Sequence, residues 1–171
     1  FINSPATQGG EYTKPRKIAP NPYRILDAPG LQDDFYLNLV DWSAQNILAV
    51  ALESSVYVWN ATTSTVEELC DVGLEDQVTS LSWSNQGGHL SIGTKSGEVQ
   101  IWDINHKKKV RSLDGHQARV SSLAWNNVST SVIASGSKDK SILVRDLRAH
   151  SNNYMKLTEH RQEVCGLRWS L

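Results

Sequence analysis

The stretch Gly97–Asp103, GEVQIWD, alternates apolar and polar side chains and closes on a Trp-Asp pair, as a strand running into a turn does. It has two echoes. Trp59-Asn60 lies 43 residues earlier and Arg145-Asp146 lies 43 residues later, so the dipeptide reads WN, WD and RD. Val56/Val58, Val99/Ile101 and Ile142/Val144 hold the same offsets before it. A second ladder is Trp42, Trp83, Trp125 and Trp169, at intervals of 41, 42 and 44. A third is the histidine of Gly115-His116 and of Glu159-His160, each nine residues before a tryptophan. Three ladders in phase define one repeat.

A period of 40–45 residues with these marks is the WD40 pattern, four strands to a propeller blade. Turn chemistry falls between the strands, at Asn85-Gln86-Gly87-Gly88, Lys95-Ser96-Gly97 and Lys138-Asp139-Lys140. The expected fold is an all-β WD40 β-propeller with blades at about 36–69, 77–113 and 118–158 and the start of a fourth at 162–171. Tyr36–Trp42 is expected as the first strand of blade one, and Val164–Trp169 as that of blade four. Residues 1–22 hold four prolines and a Gly-Gly pair without a hydrophobic period, and read as a disordered tail or linker. A propeller removes exposed strand edges by closing a ring, and four blades is about the lower limit. Three blades and one strand are therefore expected to be a piece of a longer chain.

With 171 residues, 39% of them hydrophobic and 20% charged, the chain can bury a sizeable core. No run of eighteen apolar residues is present, and no nucleic-acid-binding motif accompanies the basic half, so neither a membrane nor nucleic acid is expected as a partner. The net charge of −1 conceals a polarity along the chain. Residues 25–94 hold ten acids and no Lys or Arg, whereas residues 95–171 hold thirteen bases and seven acids. Such an acidic block favours cationic peptides and steers their approach. Cys70 and Cys165 stand far apart and read as reduced thiols.

The five histidines are scattered and no CxxC pair exists, so no metal or other cofactor is expected. No GxSxG, phosphate-cradling or HExxH motif is present, and the chain is expected not to be an enzyme. His116, Ser135 (with Ser137 as its neighbouring alternative) and Asp139 resemble a catalytic triad on paper. In a WD40 blade this set is a buried relay that fixes the blade, and that is the reading adopted. Arg145 stands where the relay's tryptophan belongs.

The most informative stretch for function is Arg24–Trp42, RILDAPGLQDDFYLNLVDW, with acids at Asp27, Asp33, Asp34 and Asp41 and no base after Arg24. Together with PRKI at 15–18, GEVQIWD at 97–103 and HRQEVCGLRWS at 160–170, it resembles the Fizzy family of coactivators of the anaphase-promoting ubiquitin ligase. LQDD, GEVQIWD and HRQEVCGL are more similar to the Fizzy-related branch. The resemblance covers about residues 15–171.

The resemblance implies a substrate receptor for short degrons in cell-cycle proteolysis, resident in nucleus and cytoplasm. Its implied partners are subunits of the anaphase-promoting complex and degron-bearing, cyclin-like or securin-like substrates. A destruction box, Arg-x-x-Leu, is implied to bind on the side of the propeller, between first and last blades. Leu26, Asp27, Ala28 and Pro29 carry over to that site, with Val50 and Trp59 as its floor. A KEN-type degron is implied to bind the top face, where Asp34 and Phe35 carry over. The competing expectation is a WD40 scaffold without a ubiquitin role.

Overall fold

A sequence that alternates apolar and polar residues in runs of five or six, broken by Gly, Asn and Ser, has one economical solution: a succession of hairpins. The computed structural model describes residues 16–150 and 153–170, and shows twelve strands there and no helix. The first sheet comprises β1 (Val40–Trp42), β2 (Ile47–Leu52), β3 (Ser55–Asn60) and β4 (Thr65–Asp71). The second comprises β5 (Val78–Trp83), β6 (His89–Thr94), β7 (Val99–Asp103) and β8 (Lys108–Leu113). The third comprises β9 (Val120–Trp125), β10 (Val132–Ser137), β11 (Ile142–Asp146) and β12 (Tyr154–Leu157). In each sheet the strands follow chain order and neighbours run antiparallel. Three such sheets are three propeller blades. Residues 1–15 of the expected tail lie outside the described residues.

The core lies between blades rather than inside any one of them. One cluster joins Ala49, Ala51, Val56 and Val58 of the first sheet to Val78, Leu81, Leu90 and Ile92 of the second. A second joins Val99 and Ile101 to Val120, Leu123 and Ile133. The tryptophan ladder supplies the polar stitching. Trp83 Nε1 donates to Asp41 O (3.1 Å), Trp125 Nε1 to Ser82 O (3.1 Å) and Trp169 Nε1 to Ala124 O (3.0 Å). Each indole thus ties its own blade to the one before it, which explains an interval of one blade. Hydroxyls repeat the device inward: Ser80 Oγ donates to Val120 O (2.6 Å) and Ser122 Oγ to Val164 O (2.8 Å). The second strand must yield space at this seam. A Cβ on Gly136 would stand 2.6 Å from Val164 Cγ1, so only glycine fits there.

Two expected strands are corrected. The first strand of blade one begins at Val40, not Tyr36. Asp34 is the cause: its carboxylate accepts from Tyr36 N (2.9 Å) and its carbonyl from Leu37 N (3.0 Å), closing a turn. Asn38 then makes an isolated parallel bridge to Ser80. Val164–Trp169 is not a strand either. It packs on the third sheet through buried Val164 with Leu167 and Trp169, but no neighbouring strand pairs with it among the described residues. A ladder needs a partner.

Candidate functional site

Both faces of the first sheet are apolar. Ala49 and Ala51 of β2, with Val56 and Val58 of β3, face blade two. By alternation Leu48, Val50 and Leu52, with Tyr57 and Trp59, face the other way. Register aligns them across the sheet: Val40↔Val50↔Tyr57 in one row, Leu48↔Trp59↔Val66 in the next. No second sheet covers this face among the described residues.

The segment 24–31 runs over that face. Pro29 and Gly30 turn it, with Leu31 N donating to Ala28 O (3.3 Å) and Gly30 at φ 79, a value that glycine adopts without strain. A groove of 570 Å³ lies between segment and sheet, walled by Arg24–Pro29 and Leu31 on one side and by the apolar rows on the other. All six residues assigned to the destruction-box site, Leu26, Asp27, Ala28, Pro29, Val50 and Trp59, line it. Asp27 is exposed and enters none of the ion pairs among the described residues. Trp42 meets Trp59 edge to face (5.9 Å), and the Arg24 guanidinium lies 5.9 Å from the Trp59 ring centre. The groove therefore offers apolar area, one free acid and an aromatic face.

Asp34 and Phe35 lie elsewhere, and their setting differs. Asp34 accepts from Arg119 Nη1 (3.1 Å), while Arg119 Nε and Nη2 grip Glu163 Oε1 and Oε2 (2.7 and 3.1 Å). Arg119 also stacks over Tyr36 at 5.5 Å. The Tyr36 N–H, assisted by Arg119, holds the Asp34 carboxyl below its usual range. Burial works against ionising Glu163, but Arg119 and Ser121 outweigh it and hold that carboxyl down too. Phe35 is 82% exposed beside this cluster. Sequence reasoning missed Arg119 and Glu163. The signal was available: both stand six residues before a ladder tryptophan, so neighbouring blades carry opposite charges at one repeat position.

His116, Ser135 and Asp139 come together as a relay. His116 Nδ1 lies 3.0 Å from Asp139 Oδ2, and Nε2 lies 2.9 Å from Ser135 Oγ. Burial lowers the His116 pKa, against the opposing pull of Asp139. Ser135 is 1% exposed, so its hydroxyl meets no substrate. Blade two closes the same corner differently, with Asp76 accepting from Ser96 Oγ (2.6 Å) and Ser96 N (3.0 Å). Arg145, in the place of a tryptophan, is buried, covers the Tyr154 ring at 4.9 Å and donates through Nη2 to Asp114 O. Both cysteines are free, and burial, with Asp71 and Glu68 nearby, pushes the Cys70 thiol up to about 12.

Four-stranded blades stitched by periodic tryptophans, with a peptide-sized groove on one side, define a WD40-class β-propeller. The family model "WDR19 first beta-propeller" matches residues 31–169. Protein FIZZY-RELATED 1 of Arabidopsis thaliana is 57% identical over 91% of this chain and 32% of its own length. "Anaphase-promoting complex subunit cdh1" of Dictyostelium discoideum is 56% identical over 91% of this chain and 20% of its own. A chain of the structure titled "Crystal Structure of Mitotic Checkpoint Complex" superposes with a TM-score of 0.83 at 42% identity, over 98% of this chain and 51% of that one. The chain belongs to the Fizzy and Fizzy-related family of WD40 propellers, and spans 20–37% of the length of its curated relatives.

Proposed function

We propose that this chain is the degron-docking portion of a coactivator of the anaphase-promoting ubiquitin ligase, acting in cell-cycle proteolysis without catalysing a reaction itself. The observation that carries the reading is the groove. Six residues singled out for one peptide line one cavity, with a free acid at its rim. An Arg-x-x-Leu segment laid in it buries its leucine among Leu26, Val50 and Trp59, worth about 1.5–3 kcal/mol. Its arginine meets Asp27, a charge-assisted bond. Asp34 and Phe35 serve a KEN-type degron, whose lysine shares Asp34 with Arg119. The ligase subunits are the proposed partners, with degron-bearing substrates, and nucleus and cytoplasm the proposed location. The names of the Dictyostelium relative and of the checkpoint structure support this choice over a scaffold without a ubiquitin role.

The test is a competition assay on the full-length protein with a fluorescein-labelled Arg-x-x-Leu peptide. Unlabelled Arg-x-x-Leu peptide should displace it, while the same peptide with both anchors changed to alanine, and a KEN peptide, should not. Displacement by the alanine peptide at equal concentration would sink the assignment.

A further inference from the structure

Repeats allow a residue to be compared with its own copies. The turn between third and fourth strands spans 61–64 in blade one and 104–107 in blade two. Ser64 and Lys107 stand 43 residues apart, the repeat interval, and share a left-handed backbone (φ 61 and 48). Beyond them the copies diverge. Thr65-Val66-Glu67-Glu68 follows in blade one and Lys108-Lys109-Val110-Arg111 in blade two. One turn leads into a basic strand; the other presents an exposed serine just ahead of two acids.

Ser64 has a cation beside it, brought from outside the blade. Arg24 Nη1 donates to Ser64 Oγ at 3.3 Å, an exposed bond. Arg24 enters none of the ion pairs among the described residues. A guanidinium is shaped to grip two anionic oxygens at once, and a hydroxyl offers it one neutral oxygen. The nearest acid along the strand is turned away. Val66 lines the groove over blade one, whereas Glu67 lies toward blade two, half exposed and paired with Lys107 at 2.5 Å. An anion on Ser64 would therefore meet Arg24.

We propose that Ser64 is a phosphorylation site for an acid-directed serine/threonine kinase, and that its phosphate pairs with Arg24 to fasten the 24–31 segment to blade one. Kinases of this class use basic residues of their own to read a carboxylate three residues beyond the acceptor, the place of Glu67. The γ-phosphoryl group of ATP passes to Ser64 Oγ, ADP leaves, and the hydroxyl proton goes to the kinase's base. The product carries a charge of about −1.5 to −2 and three acceptor oxygens, so one weak bond to Arg24 becomes a two-pronged, charge-assisted pair. Thr65 also precedes an acid by three residues, but it opens β4 with its hydroxyl bonded to Thr63 Oγ1 at 2.7 Å. The site lies beside the groove and is independent of what the groove holds.

The test treats the full-length protein with casein kinase II and ATP and follows the phosphate by phosphorus NMR and tandem mass spectrometry. Wild type should gain a phosphoserine signal that S64G, whose glycine suits the same φ, lacks. That signal should titrate below the ordinary second phosphate pKa of about 6, because a neighbouring guanidinium favours the dianion. In R24Q the same serine should be modified, and its titration should return toward that ordinary value. Absence of phosphate from Ser64 under conditions that phosphorylate casein, or phosphate on Thr65 in its place, overturns the site. Identical titration in wild type and R24Q overturns the pairing, and with it the fastening of the segment.

Discussion

The side groove and the Asp34 cluster are built from the same two ingredients, an aspartate from the stretch Arg24–Trp42 and an aromatic ring. Their fates differ. At Asp34 the fold brings its own cation: Arg119 pairs with the acid, stacks on Tyr36 and is held from behind by Glu163. At Asp27 no cation pairs with the acid among the described residues, and the ring of Trp59 meets Trp42 and the Arg24 arm. An acid beside an aromatic ring is thus a fastening where the chain supplies the third partner and, under the proposed function, a docking point where it does not.

The contrast can be broken by emptying the fastening. Arg119→Ala leaves Asp34 and the largely buried Glu163 without their cation. It should cost about 2 kcal/mol of unfolding free energy in urea titration, because a charge is stranded rather than a pair removed. Peptide affinity at the groove should not move. A variant as stable as wild type, or one that loses Arg-x-x-Leu binding at unchanged stability, would show that the two regions are not separate in the way described.

A smaller effect sharpens the same distinction between groups that the fold satisfies internally and groups that it leaves open. His116 is kept neutral in the fold by burial, so its pKa lies below the ordinary value of 6.5. In the unfolded chain it takes up a proton as pH falls past that value; the folded chain does so only at lower pH. Stability should therefore decline below about pH 6.5, by no more than about 1.4 kcal/mol for each further pH unit, until the folded-state pKa is reached. Asp139 is held well below its usual range by bonds from Ser141, Gln117 and His116 that outweigh burial, and its contribution is lost only in stronger acid. Denaturation at pH 7.5 and 5.5 should show the decline in wild type and a shallower one in H116Q. Parallel curves for the two would contradict the relay's role.

Repetition made the fold legible. The ladders at Trp42, Trp83, Trp125 and Trp169 and at Trp59 and Trp102 are packing requirements that recur once per blade, and Trp83, Trp125 and Trp169 of the first set proved to make the inter-blade bonds themselves. Strand limits were less legible where a side chain competes with the ladder, as Asp34 does before Val40. For the groove, the sequence pointed to 26–29, Val50 and Trp59 through resemblance. Leu48, Leu52 and Tyr57 were hidden because β2 is apolar on both faces, so alternation alone does not say which face meets blade two. Arg119 was overlooked because charged residues were read along the chain. Its partners stand 85 residues before it and 44 after, distances visible only once blades are laid side by side.

The central claim is that Asp27 is a charge left open for a peptide's arginine, and a charge swap tests it most directly. Wild type and Asp27→Lys, both full-length, are titrated by fluorescence anisotropy with an Arg-x-x-Leu peptide and with its Glu-x-x-Leu counterpart. The account predicts that Asp27→Lys weakens the arginine peptide by about tenfold or more and recovers affinity for the glutamate peptide, while a KEN peptide binds both proteins alike. Unchanged binding of the arginine peptide by Asp27→Lys, or equal weakening of all three peptides, would contradict it.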